Sequence, residues 1–284
     1  MKILLTGATG FIGNYFKNNN RFDEVVPFSF QHGNINNSDF SNYDAILHLA
    51  ALVHQMKTTD FAEYEAINVQ KTLELAVKAK RDGVKHFIFM STVKVYGEEN
   101  DAVYTENTPC NPQDDYGKSK FHAEYELQKL IDTEFTVSII RTPIVYGAGV
   151  KANIRNLIDL IKKLPVLPFK DTHNLRTMVY IGNLYALIES VIEHRINGIF
   201  LACDDTSIST TEFIQKVSVS LGKKRYLIHI PLFEIALKYL KPSFHKRLFG
   251  NLIIDNTQTK VQLGYHNPYS MDEGIDNMIR GKQQ

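Results

Sequence analysis

Short apolar runs bounded by turn residues alternate along this chain with stretches whose apolar positions recur every three or four residues. The first kind reads as strands: Lys2–Thr6, Glu24–Phe30, Ala45–Ala50, His86–Ser91, Thr136–Arg141 and Ile199–Cys203. The second reads as helices, with Ala62, Ala66, Val69, Leu73 and Ala76 on one face and Tyr116, Lys120, Ala123, Leu127 and Leu130 on another. This alternation predicts an α/β fold, a Rossmann-type doubly wound parallel sheet.

Two features modify that picture. Pro27 falls inside the second strand and has no N–H for a ladder, which suits an edge. About a dozen residues separate that strand from Asp44, too few for a crossover helix, so this side of the sheet is expected to be trimmed. After Tyr146 the texture changes, with Gly147, Gly149, Pro165 and Pro168 punctuating shorter segments. Ser209 and Glu212 form a capping-box pattern opening a helix that runs to Leu221, and Pro231 suits the start of another. Residues 1–147 are expected to form the sheet domain, which also receives about 178–203. Residues 148–284 form most of a smaller C-terminal lobe interleaved with it.

Composition mainly excludes. The 284 residues hold 32 Lys and Arg against 31 Asp and Glu, a formal charge of +1, which supports no nucleic-acid or membrane partner. Cys110 and Cys203 have no metal-type spacing, and His48, His54 and His86 form no paired-ligand motif, so no metal site is indicated and a reducing compartment is expected. The N-terminal apolar run is broken by Thr6 and Gly7, and no stretch approaches the ~20 apolar residues of a membrane span. A cytoplasmic protein is the expectation.

The first strand runs directly into Thr6-Gly7-Ala8-Thr9-Gly10-Phe11-Ile12-Gly13. Glycines three apart allow a tight turn and a close backbone approach, and leave helix N–H groups aimed at a pyrophosphate. An ordinary turn would explain the triplet alone. Its place between a strand and a helix points to a dinucleotide, with Gly7, Thr9, Gly10, Phe11, Ile12 and Gly13 as contacts. The second strand ends in Phe28-Ser29-Phe30-Gln31-His32, offering neither the carboxylate expected for NAD nor the arginine expected for NADP. NAD and NADP both remain open.

Tyr116 and Lys120 lie one helical turn apart on an apolar stripe. A cation about 4 Å from a phenol, at an effective dielectric near 20, favours the phenolate by roughly 4 kcal/mol. At ~1.4 kcal/mol per unit this lowers the phenol pKa by about three units, into a catalytically useful range. A satisfied core tyrosine and a snorkelling lysine would give the same spacing. What separates the two readings is Ser91-Thr92, which ends a strand at the sheet edge where ligands of open α/β folds bind.

With those residues in hand, the chain resembles the extended short-chain dehydrogenase/reductases, the NAD-dependent epimerase/dehydratase family, in its nucleotide-sugar branch. The resemblance runs through TGATGFIG, DAILHLAA (44–51), INVQKTLELA (67–76), FIFMSTVKVYGE (87–98), TENTPCNPQDDYGKSKFHAE (105–124) and RTPIVYG (141–147). It implies that Tyr116 exchanges a proton with a sugar oxygen held by Thr92 while hydride passes to or from a nicotinamide, and that Lys120 also grips the nicotinamide ribose. It further implies cofactor contacts from Leu49, Ala50, Ala51, Asn68, Pro143 and Ile144. Asn34 and Ile35 fall where relatives contact adenine, Asn34 standing in place of an aspartate.

The same resemblance implies a nucleoside-diphosphate sugar, UDP-linked, as substrate. Asn153, Arg176 and Arg247 match diphosphate-binding positions, and Val53, His54, Val93 and Lys94 lie where the sugar would sit. Thr92 is followed by Val93-Lys94 rather than the Asp-Glu of 4,6-dehydratases, which disfavours dehydration. What remains is redox chemistry at C4. The missing ribose carboxylate favours an exchangeable cofactor and so a UDP-4-keto-hexosamine reductase, with a UDP-hexose 4-epimerase holding NAD tightly as the alternative. A non-catalytic dinucleotide sensor on the same fold would need none of Thr92, Tyr116 and Lys120. The family also implies a possible homodimer.

Overall fold

A computed structural model describes residues 1–53, 60–97, 102–230 and 232–281 of the chain. The first part of the chain runs β1 (Lys2–Thr6), α1 (Phe11–Asn19), β2 (Glu24–Phe28), β3 (Ala45–His48), α2 (Phe61–Tyr64), α3 (Lys71–Arg81), β4 (His86–Thr92), α4 (Asp115–Gln128) and β5 (Thr136–Thr142). Then follow β6 (Ile144–Tyr146), α5 (Ala152–Lys163), β7 (Val166–Leu167), β8 (Met178–Tyr180), α6 (Ile181–His194) and β9 (Gly198–Leu201). The chain closes with α7 (Thr210–Ser220), β10 (Tyr226–Leu227), α8 (Phe233–Leu240), α9 (Pro242–Phe249), α10 (Thr257–Leu263) and α11 (Met271–Arg280).

Six strands form one parallel sheet in the order β2-β1-β3-β4-β5-β9. The strands β3 and β4 are buried at every residue, as expected where helices cover both faces. Alternate side chains divide between two cores. Leu5, Leu47, Ile88 and Ile140 pack with Leu184, Leu187 and Val191 of α6. Leu4, Ile46, Phe87 and Ile139 pack with Leu75 and Ala79 of α3 and with Ala123 and Leu127 of α4.

Pro27 lies in the edge strand β2, opposite Leu5 of β1. No helix joins β2 to β3, so the sheet is trimmed on this side. β2 stops at Phe28, two residues earlier than its apolar run suggests, because Ser29 O accepts from the amides of His32 and Gly33 in a turn. β3 stops at His48 because the Ala50 amide turns aside to donate to Thr6 Oγ1.

The helical segment from Phe61 to Arg81 is not uniform. Glu65–Gln70 is π-helical; Val69 and Ala76 of the anticipated stripe are buried and Leu73 packs against the same core, and the buried face also takes in Tyr64, Asn68, Thr72, Leu75 and Ala79. Ala62, expected on the inner face, is exposed. The capping box of Ser209 and Glu212 opens α7 as anticipated. Pro231 lies outside the described residues, and α8 begins just beyond it. The strand β8 pairs with β6 in a separate two-stranded sheet, after which α6 and β9 return to the main sheet.

Candidate active site

Four loops leave the carboxyl ends of β1, β3, β4 and β5 on the same edge of the sheet, and the first carries the glycines. Gly7 has φ +71°, and a Cβ there would lie 2.7 Å from the Ala50 nitrogen. A Cβ on Gly13 would lie 2.2 Å from Gly7 O. Only glycine lets α1 come this close to the loop. Gly10 caps α1 without a side-chain acceptor, and no acidic residue lies in the first turn, which leaves that turn suited to an anion.

The loop after β3 is fixed by a buried relay. Thr6 Oγ1 accepts from Ala50 N at 3.1 Å and bonds His48 Nδ1 at 2.8 Å, while His48 Nε2 bonds Thr72 Oγ1 at 2.9 Å. Both ring nitrogens of His48 are thus satisfied by threonine hydroxyls, which fixes the plane of the imidazole. Burial lowers the His48 pKa to about 3, with Lys120 adding to the effect, so this ring is a neutral structural element. His86, bonded to Ser138 Oγ at 2.7 Å and also lowered by burial to about 3, is another core histidine.

The π-helical turn aims Asn68 inward. Its amide donates to Leu52 O at 3.0 Å and to Ser119 Oγ at 3.0 Å, and accepts from Leu52 N at 2.8 Å. Asn68 thus ties the segment of Leu49, Ala50 and Ala51 to α4. Thr92 ends β4 and is 8% exposed; its Oγ1 accepts from Lys94 N at 3.3 Å. Asp114 caps α4 by accepting from Gly117 N at 2.7 Å, and its other oxygen pairs with the Lys94 ammonium.

Thr92 and Tyr116 share a cavity of about 490 Å³ with Val53, Val93, Lys94, Pro143, Ile144, Asn153, Arg176 and Arg247. One cleft thus gathers the anticipated catalytic hydroxyls and the anticipated phosphate-binding residues, although they span the chain from Val53 to Arg247. A second, more apolar cavity of about 290 Å³ adjoins it, sharing Ile144, Asn153, Arg176 and Arg247 and adding Leu157, Phe169 and Phe213. The Arg176 guanidinium donates to the carbonyls of Lys246 and Gly250, both at 3.1 Å, which fixes it against α9.

Other anticipated residues stand apart. Ile35 is 6% exposed with its side chain in the sheet core, so a cofactor could meet only its backbone. The Asn34 carboxamide oxygen is engaged locally, accepting from Asn36 N at 2.9 Å. His54 lies outside the described residues.

The electrostatics differ from the simple expectation. Lys120 is 1% exposed, its Nζ sits 3.8 Å from the centroid of the Phe89 ring, and no carboxylate pairs with it among the described residues. Burial lowers its pKa to about 7, against a smaller opposing pull from Glu124. The Tyr116 phenol is raised, first by burial and then by Asp114 and Tyr64. The surroundings of the phenol thus raise its pKa, where the spacing of Tyr116 and Lys120 led to the expectation of a lowered one. Only a fully charged ammonium favours the phenolate, and burial of Lys120 works against that charge.

Several contributors were not anticipated. Asp114, Thr142, Lys246 and Leu252 also line the cavity. Glu124 accepts from Arg141 Nη2 at 2.6 Å and from Ser91 Oγ, joining α4 to the ends of β4 and β5 next to Thr92. This pair left a signal, since Glu124 is one turn beyond Lys120 on the buried stripe and Arg141 interrupts an apolar strand. Asp114 left one too, as an acidic residue three before Gly117 at a helix start.

A dinucleotide fits these residues: a tight glycine loop leading into α1, a helix start without a side-chain cap, and a buried lysine with no carboxylate partner among the described residues. Comparison with known proteins agrees. The model of the NAD dependent epimerase/dehydratase family matches residues 3–202. A Vibrio cholerae protein described as UDP-glucose 4-epimerase is 37% identical, the match covering 96% of this chain and 93% of that protein. An N-acetyl-alpha-D-glucosaminyl-diphospho-ditrans,octacis-undecaprenol 4-epimerase of Escherichia coli O157:H7 is 26% identical, covering 98% and 94%. The solved UDP-glucuronic acid 4-epimerase of Bacillus cereus in complex with NAD superposes with a TM-score of 0.76 at 20% identity, covering 99% and 98%.

Proposed function

The chain belongs to the NAD dependent epimerase/dehydratase family, and from that premise we propose that it interconverts the C4 epimers of a UDP-hexose or UDP-hexosamine. The observation that carries this reading is the single cavity joining Thr92 and Tyr116 to Asn153, Arg176 and Arg247. Two hydroxyls suited to a sugar oxygen lie within reach of cationic and amide groups suited to a diphosphate. The name of the 37%-identical relative favours epimerisation over the one-way reduction that the missing ribose carboxylate suggests.

Bound NAD would supply a hydride acceptor that later serves as donor. Tyr116, favoured as the phenolate beside a nicotinamide cation, would take the proton of the C4 hydroxyl as that carbon is oxidised and would return it to the C4 oxygen when the sugar is reduced on its opposite face. Thr92 holds that oxygen throughout. Lys120 would hold the nicotinamide ribose, whose hydroxyls would give its ammonium polar partners. Asn153, Arg176 and Arg247 hold the diphosphate while the hexose turns over. A homodimer through α3 and α4, where Val77, Phe121 and Tyr125 stand exposed, belongs to the same reading.

The test is incubation with UDP-glucose and UDP-N-acetylglucosamine, with and without added NAD, read by product chromatography. Conversion to the C4 epimer without net NADH supports the proposal. Stoichiometric oxidation of NADH or NADPH by a UDP-4-keto-sugar, with no epimerisation, would assign the reductase instead.

A further inference from the structure

The stretch from Gly222 to Gly250 is unlike the rest of the chain. It holds seven lysines and arginines against one carboxylate, Glu234, a formal +6 in a chain that totals +1. It also supplies eight of the nineteen large apolar side chains that stand exposed among the described residues. The near-neutral total hides this local charge.

Helix α8 shows how the two properties combine. Phe233 and Leu237, one turn apart, are partly buried and pack on the core of the C-terminal lobe. The outer face presents Leu232, Ile235, Tyr239 and Leu240, the last two 81% and 80% exposed. No residue of α8 is fully buried. A helix that is apolar on most sides belongs in a core or at a lipid boundary, and the core takes only one side here. Lys238 and Lys241 flank the apolar end, while Lys223 and Lys224 stand exposed at the start of the stretch.

We propose that α8 and its flanking segments form a peripheral docking surface for an anionic lipid bilayer. Lipid phosphates complement the lysines, and the acyl boundary accepts Leu232, Ile235, Tyr239 and Leu240. A second copy is a poorer occupant, since it would set the lysines of two like surfaces against each other. Helix α9 follows α8 directly and carries Lys246 and Arg247 into the wall of the catalytic cavity. Docking therefore brings the mouth of the site to the level of the lipid headgroups.

Flotation of the full chain with vesicles tests this, comparing phosphatidylcholine alone with phosphatidylcholine mixed with phosphatidylglycerol. Wild-type protein is expected to float with the mixed vesicles, less so as salt is raised. The triple variant Ile235→Ser, Tyr239→Ser, Leu240→Ser and the double variant Lys238→Glu, Lys241→Glu are each expected to lose about tenfold or more in binding. All five side chains point outward, so both variants should melt near the wild-type temperature; if one misfolds, the other decides. No flotation of wild type, equal flotation with phosphatidylcholine alone, or undiminished binding of a folded variant would overturn the proposal. So would a dimer, seen by light scattering, that the triple variant dissolves. Binding is read without substrate, so the outcome stands apart from the reaction assigned above.

Discussion

Replacing Lys120 with methionine should make the ligand-free protein more stable while removing its activity. The ammonium is buried on the Phe89 ring without a carboxylate partner among the described residues, and burial holds its pKa at about 7 against an ordinary 10.5. At ~1.4 kcal/mol per unit, that difference corresponds to roughly 5 kcal/mol of folding free energy lost when the group is charged. The ring face offsets about 1–2 kcal/mol of this. Below pH 7 the folded protein bears the full cost. Between pH 7 and 10.5 the unfolded chain binds more protons than the folded one, so this contribution to stability rises with pH. Above 10.5 the cost is gone. Methionine has similar length and no charge, so Lys120→Met should gain about 2–4 kcal/mol near neutral pH, shrinking toward zero by about pH 10. Urea titrations of both proteins across that range, without cofactor, measure the difference. A variant less stable than wild type at pH 7, or a difference that does not change with pH, would refute the reasoning. Added NAD should stabilise wild type more than the variant.

Other outcomes follow from the same geometry. Tyr116→Phe should reduce turnover by about 10²–10⁴-fold while leaving melting temperature and dinucleotide binding near wild type, read by product chromatography and calorimetry. Glu124→Gln leaves Arg141 buried without its anion, and urea unfolding should show a loss of about 3–5 kcal/mol. Arg176→Ala should raise KM for the UDP-sugar with a much smaller change in kcat, as steady-state kinetics would show. Gly13→Ala sets a methyl against Gly7 O and should abolish dinucleotide binding in a fluorescence titration, because α1 must move away from the loop.

Much of this was legible in the chain itself. Strand cores follow from local apolar runs, so five of the six main-sheet strands begin within the expected runs and the sixth within one residue of its run. Strand ends were less legible, because β2 and β3 stop where Ser29 and Thr6 capture backbone amides. The π-helical turn at Glu65–Gln70 left no mark in the periodicity, since one extra residue changes the phase of a helix without changing its composition.

The sequence by itself determined the glycine loop, the trimmed edge beside Pro27, the capped start of α7, and the placing of Thr92 at a strand end and of Tyr116 and Lys120 one turn apart on one helix, all of which depend on neighbours a few residues away. Only the tertiary structure decided that Asn153, Arg176 and Arg247 reach the same cavity as Tyr116, and that Glu124 and Arg141 pair beneath it. It alone set the charge of Lys120, because a pKa depends on what surrounds a group in space, and the burial that drives this lysine toward neutrality comes from segments far apart along the chain.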